Sequence, residues 1–549
     1  MKTKKTVKRL LALLLVCLMM ASIAACGNKN SGADGGGGAP AGGGDSAPAG
    51  GGGSAPAGGG DSAPAGGGTA SDPGRTLNVA VALDGGTLHP FGITGAGGFM
   101  NIPLTYMEPL LDNRADGTVE WILATGITRI SDIQCTLHLR EGVTFSNGNP
   151  FTAADVMFTM NLCAGNPQFF LNVKAVDLAK TNIIDDYTID LWYTEFNCAQ
   201  EPGFSQMLIF DEESYDEIDF ALHPIGTGAY VVTDYVVNSH VIVEARDDYW
   251  GPAPAIKRIH FKTMNEESQR VNALQTGDVD ISRIPVKDVD FVESLGGYNI
   301  ASVSAGGAYT AYLNMNENGL LSSPEARNAI CHAIDRQAIS DIVFNGQSAL
   351  PNWPVSQNCV DYEARFGNMD EVYSIGYNPD RARELAEQTG LIGQTVRIMT
   401  NGAEEFVTMA QIVQNDLEAV GINSQITNYD QATYFSLLMD ESNFDIGLYF
   451  TAAPSVMAVD LLAMYPQFIP LGWTGPDRER YMNLGNRALA TVDDRERGNM
   501  IYELAQIFGQ YTPWYAICEQ VNMQAYSKDL RGVEYWLAGD LRFHHMSWA

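Results

Sequence analysis

Between Gly27 and Gly74 the chain carries almost no side chain large and apolar enough to build a core, and that gap dictates where folding can begin. From Ala39 to Gly68 it repeats an eight-residue unit, Ala-Pro-Ala-Gly-Gly-Gly-(Asp/Gly)-Ser. A segment of this kind buries too little surface to offset the entropy of ordering it, so it reads as a tether and not as a solenoid. As a Gly-rich coil it has a root-mean-square reach of about 40 Å.

What precedes the tether explains it. Lys2, Lys4, Lys5, Lys8 and Arg9 lead into an apolar run from Leu10 to Met20, followed by Ile23-Ala24-Ala25-Cys26-Gly27. The run is shorter than the ~20 residues of a membrane span. Small residues before a cysteine are the pattern of an export leader whose cleavage exposes a thiol for lipid attachment. Residues 1–25 are therefore expected to be a lipoprotein signal peptide, with Cys26 the lipidation site and residues 26–74 the lipidated cysteine and disordered tether. The body would then hang lipid-anchored on the extracytoplasmic face of a bacterial cell membrane. An ordinary secretory signal with an incidental cysteine is the competing reading.

The body has no second run of spanning length, so it reads as soluble. The whole chain has a net charge of −32, and a leader with five basic and no acidic residues makes the remainder more acidic still. That balance argues against nucleic acid and anionic lipid surfaces as partners. Cys135, Cys163, Cys198, Cys331, Cys359 and Cys518 are widely spaced without a Cys-x-x-Cys, which argues against zinc ribbons and thioredoxin chemistry. One or two disulfides, with Cys163–Cys198 the first candidate pair, and buried free thiols both fit.

Local grammar points to mixed α/β structure. Thr76–Ala82 and Cys135–Leu139 read as strands, and the segment after the second has an Asn147-Gly148 turn. Thr152 with Asp155 forms a capping box for a helix through Val156, Phe158 and Met160. Ser323-Pro324 predicts one long helix through Ile330, Ile334, Ile339 and Val343 to Gly346, on which Arg327, Asp335 and Arg336 have ion-pair spacing. Asn378-Pro379 to Gly390 and Glu404 to Gly421 predict two more, the latter followed by the strand Ile422–Ile426. Gly226 and Gly228 read as turn glycines, Tyr249-Trp250 as packing at a strand end, and Asp278 with Asp280 as solvated carboxylates.

Several segments in one order carry a resemblance. Tyr106-Met107-Glu108-Pro109-Leu110-Leu111 comes first, then Leu137–Phe145 with Pro150–Val156, then Pro224-Ile225-Gly226-Thr227-Gly228-Ala229-Tyr230. Asp248-Tyr249-Trp250-Gly251, Ala273–Asp280, Ala326-Arg327 with Ala333–Arg336, and Tyr377–Ala382 complete the series. Together they resemble the family 5 extracellular solute-binding proteins of ABC importers of the dipeptide, oligopeptide and nickel type. That resemblance implies an α/β, two-lobed fold like that of periplasmic binding proteins of class II, with an extra subdomain inserted in lobe I and a ligand cleft between the lobes. By motif order, lobe I would take residues 75–115, 224–305 and 525–549, the inserted subdomain 116–223, and lobe II 306–524.

Ligand contacts are expected from segments facing such a cleft. The candidates are His89 and Phe91 after the first strand, Tyr106, then Tyr309, Tyr312 and Asn314 where lobe II begins. Trp353 between Pro351 and Pro354, and Tyr449, Phe450 and Thr451 after a strand at Phe444–Leu448, complete the set. Peptide-binding relatives carry an aspartate soon after that strand; this chain reads Phe450-Thr451-Ala452-Ala453-Pro454-Ser455 instead. A di- or oligopeptide is the first ligand the resemblance implies, with a nickel complex, haem or an oligosaccharide as alternatives. The expected partners are that solute and the permease subunits of an importer, with the membrane touched only through the lipid and the chain a monomer. A ligand-sensing receptor or chaperone is the rival role. Signatures of hydrolases, zinc proteases and phosphate loops are missing, so no enzyme, metal or cofactor is expected.

Overall fold

The computed structural model describes residues 74–549 except 83, 93–100, 115–117, 167–168, 352–358, 360, 364, 366–374, 441–442, 453–456, 469–470 and 536–539. The leader, Cys26, the tether and Trp353 lie outside the described residues. In chain order the strands are β1 (Leu77–Val81), β2 (Leu111–Asn113), β3 (Val119–Trp121), β4 (Ala124–Ser131), β5 (Gln134–Leu139), β6 (Asn182–Asp185), β7 (Thr188–Trp192) and β8 (Tyr230–Val236). They continue with β9 (His240–Ala245), β10 (Arg258–Thr263), β11 (Ile281–Ile284), β12 (Tyr298–Leu313), β13 (Thr395–Thr400), β14 (Asn423–Asn428), β15 (Ile446–Ala452) and β16 (Trp514–Ser527).

Ten of these form one sheet in the order β14-β13-β15-β12-β16-β11-β1-β10-β9-β8. Its middle is the long antiparallel pair β12 and β16, in register from Tyr298 opposite Ser527 to Tyr312 opposite Trp514. One half of that pair continues into β11 and the other into β15. The chain thus enters the second lobe along β12 and returns along β16. The register breaks between Ser304 and Ala308, where the two halves meet. Such irregularities bend a strand pair, so the sheet is shared by two lobes at a kink.

Strand β5 alternates half-buried and buried residues and sits in a separate four-stranded sheet, β4-β5-β7-β6. The helix Ala153–Gly165 packs on it and starts at the expected capping box: the Thr152 hydroxyl accepts from the Ala154 amide, and Asp155 accepts from the Thr152 amide at 2.7 Å. Leu137, Phe145, Phe151, Val156, Met160 and Leu191 are its core. The first lobe has its own core around Val79, Tyr106, Phe210, Tyr230 and Phe261, and the second around Tyr312, Ile330, Ile398, Val413 and Phe508.

The structure corrects several expectations. The helix from Pro324 ends at Ala333, and Asp335 caps a second one, Arg336–Phe344, by accepting from the Ala338 amide. The ion pairs expected on one helix are therefore replaced. Arg327, 1 % exposed, gives its guanidinium to the carbonyls of Tyr511, Leu321 and Ser322, and Arg336 binds those of Pro351 and Ala516. Burial without a carboxylate partner directs a guanidinium to backbone oxygens. Cys163 and Cys198 are both free thiols. Asp280 is buried, not solvated: it holds Arg75 at 3.0 Å and the Asn78 amide at 2.9 Å, tying β1 to β11. Asp278 stays exposed and accepts from the Thr276 hydroxyl.

Gly226 and Gly228 are needed for a different reason from the one expected. Neither has a positive φ. A Cβ would instead lie 2.1 Å from the Tyr106 carbonyl oxygen at Gly226 and 2.6 Å from that of Thr105 at Gly228, so the requirement is close approach. The Glu-Pro motif is explained beside them: the Glu108 carboxylate, buried, accepts from the Tyr249 hydroxyl at 2.7 Å and the Trp250 indole at 2.9 Å.

Candidate ligand cleft at the strand crossover

Strand direction locates the site. In the first lobe β1 is parallel to β10 and β11, and β11 runs from Ile281, opposite Tyr526, to Ile284, opposite Met523. In the second lobe β13 is parallel to β14 and β15, and β15 runs from Ile446, opposite Leu313, to Ala452, opposite Gly307. Both sets therefore point their carboxyl ends at the crossover from opposite sides. Ligands of open α/β sheets bind outside the carboxyl ends of parallel strands, and here two such edges face each other.

Glu519 stands on that line, paired with Ala308 where β12 breaks register. Its backbone is fixed, with the amide donating to Ala349 at 2.8 Å and the carbonyl accepting from the Ser348 hydroxyl. The residue is 8 % exposed, and its carboxylate has no hydrogen-bond or ion-pair partner among the described residues. Burial pushes its pKa up, with no cation opposing the rise.

Polar groups of both lobes meet beside the crossover. Lys287 of the first lobe lies 3.9 Å from Glu404 of the second, and the Asn345 amide donates to the Val286 carbonyl at 3.2 Å. Glu405 lies in the first turn of the helix Glu404–Ala419; burial raises its pKa, a backbone hydrogen bond opposes the rise, and the charges of Glu267 and of Arg283, exposed near the end of β11, act on it in opposite directions.

The predicted residues fall into two groups, one per lobe. His89, Phe91 and Tyr106 pack in the first. His89 Nδ1 accepts from the Phe91 amide at 3.1 Å, which leaves Nε2 to carry the proton toward the Tyr215 hydroxyl at 3.0 Å. Burial lowers its pKa, against the charge of Glu217. Phe91 stacks on Phe169 at 4.6 Å, and Tyr106 donates to the Leu88 carbonyl at 2.5 Å.

The second group is Tyr309, Tyr312, Tyr449, Phe450 and Thr451. Strand β15 runs to Ala452, so the last three lie inside a strand and not after it, and all are buried. Tyr309 stacks on Phe344 at 4.7 Å, and Tyr449 on Phe406 at 5.3 Å and Phe450 at 4.5 Å. The hydroxyls of Tyr312, Thr451 and Thr310 form a chain with 3.0 Å links. Asn314 is at the end of β12 remote from the crossover, where it holds the Phe444 carbonyl at 2.7 Å.

Sequence reasoning missed Glu519, Arg283 and Glu405. A readable signal existed for the first: it is the one charged residue in the run Trp514–Val521. A hollow of about 520 Å³ lined by Ser322, Glu325, Gln388 and Leu391 is not this cleft, since its first wall follows the remote end of β12.

This arrangement defines a class: a protein of two lobes joined by paired crossover strands, which takes a ligand between them. Residues 119–465 match the family described as bacterial extracellular solute-binding proteins, family 5 Middle. The chain belongs to that family, whose members are the solute-binding components of ABC importers. It is 24 % identical over 462 residues to the glutathione-binding protein GsiB of Salmonella paratyphi A, covering 80 % of this chain and 88 % of that protein. NikA from Brucella suis, solved in complex with Fe(III)-EDTA, superposes with a TM-score of 0.78 at 20 % identity, over 86 % of this chain and 100 % of that one. The ABC transporter-associated periplasmic binding protein DppA from Helicobacter pylori, in complex with the peptide STSA, superposes at 0.69 and 19 % identity, over 86 % and 98 %. Among the described residues no helix is long and apolar enough to cross a membrane.

Proposed function

We propose that this chain is a lipid-tethered, non-catalytic receptor that captures a short peptide or a peptide-like thiol such as glutathione and delivers it to an importer permease. The observation that carries this reading is the convergence of both sets of parallel strand ends on one crossover, spanned by β12 and β16. A ligand touching both edges stabilises the closed arrangement, and the permease reads that closure. The names of the GsiB relatives and the bound peptide of the Helicobacter structure support the ligand class. The leader pattern at Cys26 supports the anchor, and one ligand per monomer is expected.

A thermal-shift screen of the purified chain tests this against glutathione, di- to pentapeptides, nickel-histidine, haem and oligosaccharides. A ligand at 100 times its Kd adds about 2.7 kcal/mol, a rise of a few degrees. Stabilisation by glutathione or peptides supports the reading; stabilisation confined to a metal complex, haem or sugar replaces the ligand class.

A further inference from the structure

One short turn touches both lobes in three different ways. Strand β11 ends at Ile284, and the turn Val286–Asp288 follows directly. The half-buried Val286 packs against the first-lobe core that contains Leu274, Ile284 and Val292, and also against the second-lobe core that contains Tyr312 and Phe344. Its carbonyl accepts at 3.2 Å from the side-chain amide of Asn345, the residue that closes the helix Arg336–Phe344. The ammonium of the next residue, Lys287, stands 3.9 Å from Glu267 of its own lobe and 3.9 Å from Glu404 of the other. Each contact is modest, the ion pairs most of all because their side chains are exposed. Apolar packing, a hydrogen bond and a shared charge nonetheless leave one turn for the opposite lobe, and together they are enough to shift a two-state equilibrium several-fold.

We propose that the Val286–Lys287 turn is a positioning element that biases the chain toward the arrangement described, and so sets the affinity for every ligand by one common factor without touching any of them. The role rests on capture by closing lobes and not on which solute is captured. Parting the lobes strips Val286 of its second-lobe packing, leaves its carbonyl to water and returns Lys287 to Glu267 alone. A ligand that binds only the closed state has an apparent Kd that rises as the closed fraction falls. Because the turn acts on that fraction, its loss weakens ligands of different charge and shape equally, whereas loss of a residue in contact with the ligand weakens them unequally. The Lys287 share of the effect fades with added salt, since exposed charges are screened.

The turn carries its own reporter, since Lys287 has a carboxylate at the same distance in each lobe. Carbodiimide coupling of the unliganded full chain at low salt, followed by peptide mapping, measures a Lys287–Glu404 amide across the seam against a Lys287–Glu267 amide within the first lobe, and their ratio reads closure. The variants are Val286→Ala and Asn345→Gly. Glycine takes the φ of 46° at position 345 without strain, so the second variant removes the amide and spares the helix end. Melting curves confirm that both are folded. The expected result is a fall of about threefold in the coupling ratio of each variant, with Kd values for glutathione and trialanine that rise by one common factor of similar size. An unchanged ratio in either variant overturns the proposal, as does a parent that forms no amide across the seam. Affinity that falls for one probe and not for the other assigns the turn to ligand contact and overturns it as well. A chain that binds neither probe removes the peptide reading alone, and the coupling ratio then decides the seam by itself.

Discussion

The amide of Cys198 donates to the carbonyl of Leu489 at 3.0 Å, a hydrogen bond from the body built on the four-stranded sheet to the second lobe. The next residue, Ala199, is buried within the core that contains Tyr312 and Phe508. The segment after β7 therefore reaches across and seats a small side chain in the opposite lobe. It joins the two bodies in the arrangement described.

If that contact takes part in closure, Ala199→Asp should break it and weaken ligand binding. A carboxylate in an apolar seat costs roughly 2 kcal/mol or more, so ligand affinity should fall about tenfold or more. Unfolding of the separate cores should barely change. Titration and melting curves read the two effects apart; a variant with parental affinity would show that the contact has no part in closure.

Glu108 is expected to matter for stability and not for binding. Replacing it by Ala leaves the Tyr249 hydroxyl and the Trp250 indole unpaired and should cost roughly 3 kcal/mol in denaturant unfolding. Glu108→Gln, which keeps an acceptor, should cost less. Equal losses in the two variants would mean that packing and not hydrogen bonding sets the value.

Gly226→Ala should be among the most damaging small changes in the chain, at about 3 kcal/mol. Its Cβ has backbone, not a movable side chain, 2.1 Å away. A variant as stable as the parent in urea would contradict the close approach.

Burial, aided by the charge of Asp335, raises the Asp416 pKa to about 6. Its unfolded value is about 3.9. The folded protein therefore holds this proton more tightly, and the associated stability is present below about pH 4 and lost as pH rises through about 6. Asp416→Asn still accepts from the Asp335 amide and should melt higher than the parent at pH 7, with the gain vanishing near pH 4. A gain independent of pH would remove Asp416 titration as the cause.

Much of this architecture could be read from the residues because its signals are local. The Thr152–Asp155 box and the Asn378 and Gly390 ends of one helix depend on neighbours within a turn, and they appear where expected. The break at Ile334 was hidden because Ile330, Ile334 and Ile339 keep helical spacing through it, while the Asp335 cap looks like an ion-pair partner. The cleft was harder. Tyr449 and Phe450 have the composition of a binding surface and of a core alike, and only pairing with β12 shows them inside a strand. Glu519 gains its meaning from the crossover, a relation between strands more than 200 residues apart that no local pattern encodes.

The most direct test of capture by closing lobes is small-angle scattering of the purified chain with and without the ligand that stabilises it, with chromatography of the recovered ligand. The account predicts a smaller radius of gyration at one-to-one saturation and ligand returned intact. An unchanged radius with a bound ligand, or a ligand returned cleaved, would contradict it.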